Sequence, residues 1–144
     1  MKKTLFKGSL MLLAMALLSG CAEPSPNRIT KVQETNYPDG ISVSIYDGCI
    51  KEGVVVSDAR MGFGKSKSQV QLILNNNSDD TYNLAVSSEW SDKRGIKIST
   101  YPRVQNIRLV AHSGKRMIID APNFKAKNVI VNVECGNNCV VKEK

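Results

Sequence analysis

From Ile41 onwards the dominant period of the apolar residues in this chain is two. Val70, Leu72 and Leu74 alternate with Gln69, Gln71 and Ile73. Tyr82, Leu84, Val86 and Trp90 share one face opposite Asn83, Ala85, Ser87 and Glu89, and Val129, Val131 and Val133 alternate with Asn128, Ile130 and Asn132. A period of two belongs to strands that bury one face and wet the other; wound as helices, the same residues would scatter around the axis. Turn-forming clusters separate the runs: NNNSDD at 75–80, SDKRG at 91–95, HSGK at 112–115 and GNN at 136–138. Strands are therefore expected at about 41–46, 53–61, 68–75, 81–90, 96–100, 104–111, 116–120 and 128–134, with no amphipathic helix among them. That pattern predicts an all-β fold, a small antiparallel sandwich, with a barrel as the alternative. Leu72, Leu84, Val86, Trp90, Leu109, Val131 and Val133 are expected to point into its core.

The first twenty residues are of another kind. Lys2, Lys3 and Lys7 precede the uncharged run Leu10–Leu18, which is shorter than the roughly 20 apolar residues a membrane span needs. Basic start and short apolar run together read as a cleaved signal peptide. It ends in Leu18-Ser19-Gly20-Cys21, which resembles the lipobox of bacterial lipoproteins. The resemblance implies removal of residues 1–20, lipidation of Cys21, and attachment to a membrane through several acyl chains, since one chain alone holds only marginally. Residues 21–40, with Pro24, Pro26 and Pro38 and no periodicity, read as the lipidated cysteine and a flexible tether. That leaves 41–144 as the sandwich domain. Position 22 is Ala. In lipoproteins of this kind an Asp there retains the protein in the inner membrane, so the expected address is the outer membrane, facing the periplasm.

Loss of the signal removes three of the 20 Lys+Arg and none of the 13 Asp+Glu, so the mature charge is 17 − 13 = +4. Scattered along the sequence, those charges read as a solvated surface and call for no nucleic-acid partner. Three cysteines remain after lipidation: Cys49, Cys135 and Cys139. An exported chain permits one disulfide among them. Cys135 and Cys139 bracket a tight turn and could face each other across a hairpin; a bridge from Cys49 to either would close a far longer loop. The sequence leaves both open.

No residue set for catalysis, cofactor binding or metal binding emerges. Ala59–Ser66 (ARMGFGKS) approaches a phosphate-loop pattern, but such a loop must open a helix, and the residues after Ser66 alternate as a strand. His112, the single histidine, adjoins Ser113 in a turn, where neighbours rarely face one another, and no orienting acid is evident. Tyr101-Pro102-Arg103 joins an aromatic to a cation at a proline-broken edge, the composition of an interaction spot.

The run from Tyr82 to Phe124 carries Trp90, Asp92-Lys-Arg-Gly95, Pro102-Arg103, Ala111-His112-Ser113 and Asn123-Phe124. With those motifs at those spacings it resembles the C-terminal half of the YcfL family of small periplasmic lipoproteins. The resemblance implies an immunoglobulin-like sandwich and a lipidated envelope location; it points to no particular activity. Ser91, where that family favours an aromatic, the three cysteines and the basic tail Val140–Lys144 depart from it. The expected role is non-enzymatic: a structural or protein-interaction module with an envelope protein as partner, or alternatively a binder of a small ligand or glycan.

Overall fold

The computed structural model describes residues 33–46, 48–64, 66–98 and 103–141. Cys21 and Tyr101 lie outside the described residues. Eight strands form: β1 (Gln33–Tyr37), β2 (Ile41–Ile45), β3 (Val54–Phe63), β4 (Ser68–Asn76), β5 (Thr81–Ser91), β6 (Gln105–Leu109), β7 (Gly114–Asp120) and β8 (Asn128–Val141). They pair as a five-stranded sheet, β1-β2-β8-β5-β6, over a three-stranded sheet, β3-β4-β7. The protein is an all-β sandwich.

Alternation explains the layering. Val129, Val131 and Val133 of β8 face inward beside Ile41, Val43 and Ile45 of β2 and Leu84, Val86 and Trp90 of β5, all buried. Val70, Leu72, Leu74, Met117 and Ile119 come from the opposing sheet. A slip of one residue in any of these strands would turn its apolar set to solvent, so burial fixes the register. All seven residues expected in the core are there.

The strand order is immunoglobulin-like in most of its parts. β3-β4-β7 stand as strands A, B and E of such a sandwich, and β8-β5-β6 as F, C and C′, every one of these neighbours antiparallel. The departure is beside β8. An immunoglobulin domain places its last strand there, antiparallel; here β2, from the beginning of the fold, pairs with β8 in parallel, Ile41 opposite Val129 and Ile45 opposite Val133. The sandwich is therefore not wholly antiparallel. A pairing between segments so far apart in sequence leaves no local signal.

Four boundaries are corrected. Residues 33–37, assigned above to the tether, form β1 and pair with β2, Gln33 opposite Ile45 and Tyr37 opposite Ile41. Pro38-Asp39-Gly40 turns the hairpin, with Asp39 and Gly40 at positive φ. A Cβ at Gly40 would run into the Asn128 carboxamide, so only glycine fits. Residues 48–52, expected as a connection, and Gly53, expected to open the next strand, make one short helix, α1 (Gly48–Gly53), whose Ile50 is buried in the core. The strand expected at 96–100 is, among its described residues, a single bridge between Lys97 and Ser91. Finally, β8 does not end before Gly136-Asn-Asn138 but runs to Val141. Leu84 pairs with Cys135 and Tyr82 with Val140, so one β5 residue faces a four-residue excursion of β8.

Candidate interaction surface

The strand ladders sort the loops onto two ends of the sandwich. At one end Phe63 pairs with Ser68, Gln69 with Asp120 and Ser91 with Asn128, which gathers the turn 38–40, the turn 64–67, the β5–β6 loop and the β7–β8 loop 121–127. At the other, Gln33 pairs with Ile45, Val54 with Asn76 and Gly114 with Asn75. α1 and the loops 77–80 and 110–113 make up this entry end, and the described chain comes in at Gln33, level through Ile45 and Val133 with Val86 midway along β5.

Charge follows this division. The loops of the first end hold Lys67, Lys93, Arg94, Lys97, Arg103, Lys125 and Lys127 against Asp39 and Asp92. Those of the entry end hold Glu52, Asp79 and Asp80 against Lys51. The charges that look scattered along the sequence are segregated in space, because residues from three loops distant in sequence converge.

The basic end is ordered by its few acids. Asp92 accepts hydrogen bonds from the backbone N–H of Arg94 at 2.8 Å and of Ile96 at 2.9 Å, and pairs with the Arg94 guanidinium at 3.1 Å. The Ile96 and Arg94 amides hold its carboxyl below the usual range, with the Arg94 side chain adding to them. Asp120 is likewise held low, first by the Gln69 amide at 2.7 Å, then by Lys67 at 3.4 Å and the charge of Arg103. Lys97 donates to Glu89 at 2.5 Å and lowers that carboxyl too. Arg103, predicted as an interaction residue, is thus exposed in a cationic cluster around Asp120. Two aromatic side chains protrude from the same end: Phe63 is 81% exposed and Phe124 68%. The Lys125 ammonium lies 6.0 Å from the Phe124 ring. Neither phenylalanine was legible as a surface feature; each has the composition of a core residue and reveals itself only by lying beyond the last inward position of its sheet.

The entry end is held by a buried carboxamide. Asn76 donates to the carbonyls of Asp80 at 2.7 Å and of Leu109 and Val110 at 3.2 Å, while its oxygen accepts from the Ser78 amide and hydroxyl. The His112 ring meets Asp79 at 2.7 Å, and the Ser113 hydroxyl donates to the Val110 carbonyl at 2.6 Å. An acid does reach the histidine, but the serine is turned away, so the three make no nucleophile relay. Cys135 and Cys139 are joined by a disulfide with 5.0 Å between Cα atoms. It closes the excursion within β8 rather than a hairpin between two strands. Cys49 lies on α1; its side chain is outside the described residues.

Among the described residues other chemistry finds little footing. The residues after Ser66 begin β4, and Gly64 donates to the Lys67 carbonyl at 2.9 Å across a tight turn, so Ala59–Ser66 opens no helix. Among the described residues no three of His, Cys, Asp and Glu converge as metal ligands. A crevice of about 190 Å³ lies between the β1–β2 hairpin and β3, lined by Tyr37, Val43, Ile45, Val55 and Val56 among others. It is smaller than the roughly 300 Å³ at which pockets for small molecules begin. The Tyr37 hydroxyl closes it by donating to the Val56 carbonyl at 3.1 Å, and burial, then the charge of Asp58, pushes that phenol up.

Neither a protein-family model nor a curated protein matches the chain. Two solved structures share its fold. A DUF1425 family member from Shewanella sp. PV-4 superposes with a TM-score of 0.53 at 14% identity, over 62% of this chain and 81% of that one. Campylobacter jejuni Cj0090 gives 0.55 at 12% identity, over 68% of this chain and 99% of that one.

Proposed function

We propose that the chain is a lipid-anchored, non-enzymatic module of the bacterial envelope that docks a protein partner. The single observation that carries the reading is geometric: two exposed phenylalanines and a set of cationic loops crowd one end of the sandwich. Incorporation of β1 into the fold leaves residues 22–32 as tether, with a root-mean-square reach of about 18 Å and a taut reach of about 40 Å. The crevice of about 190 Å³ beside the β1–β2 hairpin is small for a ligand or glycan, which favours this reading.

The YcfL-like motifs support it by their position. Asp92–Gly95, Arg103 and Asn123-Phe124 all belong to the basic end, whereas Ala111–Ser113 belongs to the entry end. With Ala22 following Cys21, the outer membrane is the proposed address. Fractionation of cells producing the full chain tests this. The protein is expected with outer-membrane markers and Ala22→Asp with inner-membrane markers; wild-type protein in the inner membrane or released as a soluble form would overturn it.

A further inference from the structure

Two polar residues are buried on the outer face of the five-stranded sheet, the face that the three-stranded sheet does not cover. Asn132 of β8 and Ser44 of β2 are partners across the parallel ladder, and their sequence neighbours Val131, Val133, Val43 and Ile45 all point into the core. Both side chains therefore point outward, yet Ser44 is only 2% exposed and Asn132 6%. The Asn132 carboxamide donates to Glu89 at 3.5 Å, while its buried oxygen meets no donor among the described residues. Exchanging the oxygen and nitrogen of the carboxamide would not repair this, because the oxygen would then face the Glu89 carboxylate and the nitrogen would be orphaned. A buried acceptor without a donor is costly, so the position calls for a group that brings an N–H or O–H.

We infer that the segment 27–32 (NRITKV) lies across this outer face and supplies the missing donor. Its place in the chain selects it. The segment runs directly into Gln33, which stands opposite Ile45 and, through it, Val133. Asn132 is thus two strand spacings from the start of β1, about 10 Å, and six residues span about 20 Å when taut. A second copy or another protein would have to reach the face by diffusion, whereas this segment is held beside it at a millimolar effective concentration. Charge agrees. β1, β2 and β8 contain no Lys or Arg and place Glu34 and Glu134 on the outer face, while the segment carries Arg28 and Lys31 and no acid. Ile130, 43% exposed on the same face, offers an apolar patch for Ile29 and Val32. Docked, the segment leaves residues 22–26 as free tether, about 17 Å when taut. The docking needs neither the lipid nor a protein partner, so its failure and theirs are separable.

Photocrosslinking within the full chain, extracted from cells in detergent, tests it, with the crosslinking residue at position 30. The expected product is an adduct inside one chain, mapped by mass spectrometry to the peptides of β2 or β8. Reversing Arg28→Glu and Lys31→Glu together leaves the strands untouched, which thermal melting checks, and should cut that adduct about tenfold. An adduct joining two copies would assign the face to a dimer, and one to another protein would assign it to a partner; either overturns the docking. So would no adduct, or one indifferent to the reversal. Amide exchange over 27–32 at the rate of an unfolded peptide would overturn it whatever the crosslinks show.

Discussion

At the scale of single residues, burial decides which positions the fold depends on. Leu84 is 1% exposed between the sheets, whereas Ser87 of the same strand is on the outer face and half-buried. Truncating Leu84 to Ala removes its contacts and leaves a cavity, at about 2 to 5 kcal/mol. Ser87→Ala should stay within about 0.5 kcal/mol. Thermal melts of the two variants check the difference, and equal shifts would contradict the register. Asp92 makes a separate prediction. Since the Ile96 and Arg94 amides depress its pKa in the folded state, the ionised carboxylate stabilises the fold above its unfolded pKa of about 3.9. That contribution fades as the pH falls through the depressed value. Asp92→Asn is therefore expected to melt lower than wild type near neutral pH, with the difference shrinking towards about pH 2. A constant difference across the range would show that shape, not charge, matters at this position. The inward residues were legible because each strand carries its own alternation. Asn76 was not: within NNNSDD nothing distinguishes the asparagine that turns inward to serve three carbonyls from its two neighbours.

At the scale of elements, what the sequence conceals is pairing. β4, β5 and β7 announce themselves by period and turn, but β1 (QETNY) has too few apolar residues to show one. It becomes a strand because Tyr37 reaches across to Val56 and because Gly40 permits the turn into β2. The continuation of β8 past Gly136 was hidden for a related reason, since Gly-Asn-Asn is turn chemistry whether it joins two strands or swells one. The Cys135–Cys139 disulfide holds that swelling, so that Val140 returns to pair with Tyr82. In the loop-entropy account a bridge this short contributes about 2 kcal/mol. Changing both cysteines to Ser should lower stability by about that amount, with amide exchange rising first at Val140 and Val141. Uniformly faster exchange across β8 and β5 would mean that the bridge supports the whole sheet instead.

At the scale of the molecule, charge divides by end: the loops beside α1 are acidic, and the opposite end is cationic and carries exposed aromatics. Reading charges along the chain could not find this, because Lys67, Arg94, Arg103 and Lys125 meet only after β4, β5, β6 and β7 have folded. Two solved structures with this fold, one of them a DUF1425 family member, show that the architecture recurs at identities as low as 12%. Sequences that differ so much can share a core while their loops take different partners. The proposed function rests on lipidation of Cys21. Mass spectrometry of the N-terminal peptide from membrane-extracted protein tests it most directly. The account predicts a peptide that begins at Cys21 and carries diacylglycerol and a third acyl chain; a peptide beginning at Met1, or an unmodified Cys21, would contradict it.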